Sequence, residues 1–250
     1  MLPLRDDNPT ERPPIVTVAI IAICTVVFAY QFTLSDKPGE AFAFQYGAIP
    51  SVIFSNATLP DDIVSIPATL TLITSMFLHG GWMHLLGNML YLWIFGDNVE
   101  DRMGHVRFTI FYLLGGVIAT LAHGFFTTTS TVPMVGASGA ISAVLGAYIV
   151  IFPRQRVLTF IPPLLIPWLV IRIFGKVPRF FLPWLPAWIY LGYWALIQLL
   201  EAYSGMVVSQ EKMQGVAWWA HIGGFIFGAI AARLFLKPTS RSAPQLQSNL

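Results

Sequence analysis

The chain has 250 residues, of which 56% are hydrophobic and 10% charged, with a net charge of +2. An ordinary soluble domain carries about 25% charged residues, so this composition describes an integral membrane protein and excludes a soluble globular one. So small a net charge excludes a basic nucleic-acid-binding surface, and the single cysteine, Cys24, excludes an intrachain disulfide or a thiolate metal site.

Residues 1–14 carry Arg5, Arg12, Asp6, Asp7, Glu11 and four prolines, a poor match to a signal peptide. They read as a cytoplasmic segment ahead of a membrane domain over 15–236, and the polar stretch 237–250 reads as a flexible cytoplasmic tail. A spanning helix needs about 20 mostly apolar residues. That criterion predicts an all-α integral membrane fold with six spans: 15–32, one lying within 68–95 with its core at 82–95, 108–126, 138–152, 186–203 and 216–236. The segment 33–67, interrupted by Pro38, Pro50 and Pro60, is too polar to span, and its apolar patches suggest interfacial elements. A charged loop is expected over 97–107 and an uncharged one over 127–136. Residues 158–171 are apolar but contain Pro162, Pro163 and Pro167, which argues for an interfacial or re-entrant piece rather than a span.

Charge placement supports six spans. With that count, only Lys37 and Lys212 of the 14 Lys and Arg residues fall on one side and all the others on the opposite side. This is a strong positive-inside bias, and it places both termini in the cytoplasm. A seventh span at 158–171 would carry Arg172, Lys176 and Arg179 outward and weaken the bias.

Polar residues within spans are costly and mark functional sites by default. Ser138, His221 and the pair His84 and Asn88 stand out. At 1.5 Å per residue, Ser138 lies about 22 Å from Pro153, His221 about 18 Å from Arg233, and His84 about 20 Å from Asp97. Three spans therefore place Ser, His and His at a similar depth, toward the outer face. The fourth span is short, so it must begin inside the membrane, behind a loop that lines a protein-walled, water-accessible cavity. Small residues at Ser138, Ser142 and Gly146, and at Ala220, Gly224, Gly228 and Ala232, recur every four residues, a spacing that lets two helices approach closely. Such an approach would bring His221 within reach of Ser138. A serine hydroxyl becomes a nucleophile when a base takes its proton, and histidine is the usual base. The free amides of a helix N-terminus can stabilise an oxyanion, with His84 and Asn88, one turn apart on one helical face, as further donors. No in-span Asp or Glu stands ready to orient His221, so the expected machinery is a dyad.

These residues resemble the motifs of the bacterial rhomboid intramembrane serine proteases. Gly136-Ala137-Ser138-Gly139 is similar to that family's nucleophile motif, and Ala220-His221 with Gly224 and Gly228 to its general-base helix. His84-Leu85-Leu86-Gly87-Asn88 resembles its second-span motif, and Gly96, Glu100 and Gly104 its Gly-x-x-x-Glu-x-x-x-Gly turn. The resemblance implies a six-helix rhomboid-like bundle in a bacterial inner membrane, with an active site that opens to the outer face. It also implies cleavage of single-span or other membrane proteins in or near their transmembrane segments, with no cofactor and no metal. Ser138 would be nucleophile and His221 base and acid. His84, Asn88 and the Ser138 amide would form the oxyanion hole, and the span and outer loop at 186–215 a gate. The chain departs from many members in lacking a Trp-Arg pair in the first outer loop. It also has Ser142 where some carry a tyrosine that stacks on the histidine.

Other readings fit less well. His79, His84, His123 and His221 could suit zinc, but His-Glu-x-x-His and an in-span carboxylate are missing. Spans almost free of charge disfavour a transporter. A catalytically silent rhomboid-like protein that binds membrane clients is the remaining alternative. Glu100 and Arg102 read as a loop-stabilising hydrogen-bond centre, and His79 as structural.

Overall fold

The computed structural model describes residues 1–34, 36–59, 63, 66–161, 181–207 and 217–237. The helices are α1 (Ile15–Thr33), α2 (Asp36–Tyr46), α3 (Pro50–Phe54), α4 (Ala68–Thr74), α5 (Trp82–Met103), α6 (His105–Phe126), α7 (Ser138–Ile151), α8 (Ala187–Val207) and α9 (Trp218–Phe235). By length and composition, α1, α6 and α9 can each cross a membrane. Most of the expected interfacial or re-entrant piece (162–171), most of the loop expected in the gate (208–215) and the tail beyond 237 lie outside the described residues.

Within 68–95, α4 runs into a 3-10 turn, Ser75–Phe77, and α5 begins at Trp82, where the core of the second span was expected. The break falls at Gly80-Gly81, where side chains take the place of helical carbonyls. The His79 amide donates to Gln31 Oε1 at 3.1 Å and the Gly80 amide to His84 Nδ1 at 3.3 Å. The charged loop expected over 97–107 is instead helical to Met103, and Gly104 alone, at φ +80°, separates α5 from α6. Such a φ is open to glycine at little steric cost.

Glu100 explains why the polar end of α5 stays helical. Its carboxylate is 1% exposed and accepts the first-turn amides of α1, Val16 and Thr17, both at 2.8 Å. His105 Nδ1 lies 2.6 Å from its Oε1. Arg102, the partner expected from sequence, lies over the Phe152 ring instead, at 5.9 Å. A carboxylate on a helix N-terminus satisfies orphan donors and complements the helix dipole. Glu100→Ala would leave a buried amide, Thr17, and a part-buried one, Val16, without their acceptor, with an expected cost of about 3 kcal/mol, read as a lowered unfolding midpoint in detergent.

Residues 2–6 and the first part of the proline-rich stretch form a small antiparallel sheet. Its order is β1 (Leu2–Asp6), β2 (Arg156–Phe160), β3 (Trp184–Pro186), with Leu2 opposite Phe160 and Val157 opposite Leu185. Val157 and Thr159 are buried and alternate with more exposed neighbours, the period of a strand with one covered face. The first residues of the 158–171 segment are thus a strand, and 162–171 lie outside the described residues.

The sheet sits at one end of the bundle. Tyr148 Oη donates to Asp6 Oδ2 at 2.6 Å, and Asn98 Nδ2 to the same oxygen at 3.0 Å. The Glu11 amide donates to Asp101, and the Lys237 amide to the Arg102 carbonyl. The N-terminal strand, the α5–α6 turn and the far ends of α7 and α9 therefore share this end, along with Arg5, Arg102, Arg107 and Arg156.

Burial pushes the Asp6 carboxyl up to about 6 from 3.8, against the opposing hydrogen bond from Tyr148 and with added repulsion from Asp7. A raised native pKa means that the docked strand holds the proton more tightly than the released one. Its contribution to docking is complete below about pH 4 and is lost as pH rises through about 6. Hydrogen-exchange protection of the Asp7 amide, which donates to the Arg156 carbonyl, should be higher at pH 5 than at pH 7 after correction for intrinsic rate. In Asp6→Asn this difference should vanish.

At the centre stands α7. Every residue from Gly139 to Tyr148 is buried, among α5, α6 and α9. Its contact with α9 follows the small-residue stripes. A Cβ on Gly228 would strike the Ala143 carbonyl, one on Gly224 the Gly139 carbonyl, and one on Gly146 the Phe225 carbonyl.

Candidate active site

Ser138 opens α7 at the end of the bundle away from the sheet. The helix has no side-chain cap: Ala137 occupies the N-cap. The first i→i−4 bond runs from the Ile141 amide to the Ala137 carbonyl, which leaves the amides of Ser138, Gly139 and Ala140 without helical partners. A capping Ser, Thr, Asp or Asn would contribute about 1 kcal/mol, and its omission keeps these donors open.

The loop into Ser138 is pinned on both sides. The Gly136 amide donates to the Ser75 carbonyl at 2.9 Å, and Met134 exchanges backbone hydrogen bonds with Ala48. Gly136 has φ +123°, and the Cβ it lacks would lie 2.7 Å from His84 Nε2 and 3.6 Å from Asn88 Nδ2. Only glycine meets both demands. A cleft of about 30 Å³ adjoins Ser138, lined among others by Ser75, Thr120, Gly136 and Ala220, and large enough for a water molecule.

The close crossing of α7 and α9 places His221 Nε2 2.9 Å from Ser138 Oγ. His221 Nδ1 lies 2.6 Å from Gln198 Oε1. His84 and Asn88 converge on the same loop from α5. Because His84 Nδ1 accepts the Gly80 amide, the neutral ring carries its proton on Nε2, the nitrogen that faces Gly136. Asn88 Nδ2 is buried and has no hydrogen-bond partner among the described residues. His84 Nε2 and Asn88 Nδ2 thus both approach Gly136, two residues before Ser138.

Sequence reasoning missed Gln198, 7% exposed on α8. The signal was available: it is a polar residue within an apolar span, the same criterion that singled out Ser138 and His221. His79 bonds α1 through its backbone amide, which donates to Gln31; its ring packs edge-on against His84, with centroids 5.2 Å apart. Ser142, at the position where a ring was expected in some relatives, donates to the Ser138 carbonyl at 2.6 Å.

The fold and this site define a helical membrane protein with a serine held on a bare helix N-terminus against a histidine. The chain belongs to the rhomboid family, whose Rhomboid domain matches residues 67–238. It is 36% identical over 89 residues to presenilin-associated rhomboid-like protein A, mitochondrial, of Danio rerio, across 35% of this chain and 23% of that protein. It is 40% identical over 85 residues to rhomboid protease GluP of Bacillus subtilis, across 34% of this chain and 16% of that protein. With Rhomboid-like protein 11, chloroplastic, of Arabidopsis thaliana it shares 26% identity over 188 residues, 72% of this chain and 57% of that protein. The chain thus spans 23% of the Danio rerio relative and 30% of Rhomboid protein 1, mitochondrial, of Saccharomyces cerevisiae.

Proposed function

We propose that this chain is an intramembrane serine endopeptidase that cuts membrane proteins in or near their transmembrane segments. The observation that carries the reading is the 2.9 Å contact of His221 Nε2 with Ser138 Oγ. Ser138 Oγ attacks the scissile carbonyl while His221 Nε2 takes its proton. The developing oxyanion lies among Asn88 Nδ2, His84 Nε2 and the Ser138 amide, where preorganised donors act most strongly. His221 then returns the proton to the leaving amine, and water releases the acyl group by the reverse sequence. The chemistry asks for side chains and water alone.

The same reading takes α1, α5, α6, α7, α8 and α9 as the six spans. It places the sheet end, with its arginines, on the cytoplasmic side and the Ser138 site toward the outer face. An alkyl fluorophosphonate tests the assignment: it should form a single adduct, mapped by mass spectrometry to Ser138. An adduct on another serine, with Ser138 unmodified, would overturn it. GluP is named as a protease, which supports a catalytic rather than a client-binding role for a chain that retains both Ser138 and His221.

A further inference from the structure

We infer that Gln198 is a positioning residue that selects the reactive tautomer of His221; this rests on the reading of His221 as the base. The observation is the 2.6 Å contact between His221 Nδ1 and Gln198 Oε1, made by a side chain that is 7% exposed. An amide oxygen can only accept. The hydrogen of this contact must therefore reside on Nδ1. In a neutral imidazole a protonated Nδ1 leaves Nε2 bare, and Nε2 is the atom 2.9 Å from Ser138 Oγ. Gln198 thus fixes the one tautomer able to receive the serine proton.

The proton balance is simple. The Ser138 O–H bond breaks and the Nε2–H bond forms, while Gln198 neither gains nor loses a proton. As the ring becomes imidazolium, the Nδ1–H to Oε1 hydrogen bond becomes charge-assisted and stronger. A neutral amide thereby does part of what a carboxylate does in a triad, without placing a second charge in the membrane.

The ring is held from the same helix at a second point. Trp194, one turn before Gln198 on α8, has its ring 6.1 Å from the His221 ring, and Trp218 meets it edge-on at 5.9 Å. Ser142 of α7 is turned back to its own helix, so the Nδ1 side of the imidazole is held from α8. The Tyr91 and Tyr190 hydroxyls, 2.8 Å apart, tie α8 to α5. The base is ready only while α8 stays against α9.

The test compares wild type with Gln198→Leu, Gln198→Met and Gln198→Glu in the full-length protein. It reads the rate of alkyl fluorophosphonate labelling at Ser138, and kcat and KM for a single-span model substrate. Leu and Met remove the acceptor at similar volume, and both should slow labelling and kcat by about tenfold or more, with KM unchanged within about twofold. Glu keeps an accepting oxygen and should restore labelling to within about fivefold of wild type. Labelling at the wild-type rate in the folded Leu and Met variants would overturn the inference, as would a folded Glu variant as slow as Leu. Because a variant can fail to fold, a measurement on wild type alone decides as well. The ¹⁵N signals of labelled His221 should show Nδ1 protonated and Nε2 bare, and the reverse pattern overturns the inference. His221→Ala separates the two claims: wild-type labelling in that variant sinks the base reading itself, whereas its loss alongside normal Gln198→Leu labelling sinks only the role of Gln198.

Discussion

Replacing His221 by alanine is expected to lower kcat for cleavage of a membrane-anchored substrate by about 10⁴-fold or more, the scale seen when a member of a serine nucleophile's proton-transfer unit is removed. Nε2 is the group within hydrogen-bond reach of Ser138 Oγ, and an unassisted serine hydroxyl is a poor nucleophile at neutral pH. The fold should tolerate the change. The backbone approach of α7 and α9 is made at Gly146, Gly224 and Gly228 rather than at the imidazole. Single-turnover cleavage at equal folded protein checks the expectation. The remaining rate would report what the oxyanion donors and substrate positioning achieve alone.

The second large effect concerns the backbone beneath the site. Gly228→Ala is expected to cost about 3 kcal/mol or more, the upper part of the range for overpacking. Its new Cβ would fall on the Ala143 carbonyl, and a main-chain carbonyl inside a helix cannot swing aside as a side chain can. Gly146→Ala meets the Phe225 carbonyl in the same way, so each helix blocks the other. Relief requires α7 and α9 to separate, and Ser138 and His221 sit at the end of that crossing. Displacement of about 1 Å at a reacting pair can cost about 10²-fold in rate, so activity should fall even in the fraction that folds. Gly87→Ala is the control. A Cβ there meets nothing within 4 Å, and the higher helix propensity of alanine should leave stability unchanged or raised by about 0.5–1 kcal/mol. Thermal midpoints and cleavage rates of the three variants decide the matter.

Much of the site was legible in the sequence because a bilayer makes polar residues conspicuous. Ser138, His221, His84 and Asn88 were found as polar groups in apolar runs, and the four-residue spacing of Ala220, Gly224 and Gly228 pointed to the crossing with α7. Gln198 is inconspicuous because the usual orienting group is a carboxylate, whereas an uncharged amide suffices to hold Nδ1–H. The sheet escaped for a different reason. Its strands begin at Leu2, Arg156 and Trp184, and no local pattern announces a pairing across such separations. Glu100 was recognised as a hydrogen-bond centre, but its partners proved to be first-turn amides of α1 and His105 rather than Arg102. Amides carry no sequence signature, so a carboxylate that caps a remote helix looks the same as one awaiting a cation. A helix boundary moved where buried hydrogen bonds carried a helix through charged residues, as from Asp97 to Met103.

The claim that Ser138 is a peptide-bond nucleophile is tested most directly by the initial rate at which purified protein in proteoliposomes cuts a single-span model substrate, measured beside Ser138→Ala at equal folded amount. The account predicts discrete fragments from wild type and none above background from the variant. Cleavage by Ser138→Ala at the wild-type rate would contradict it.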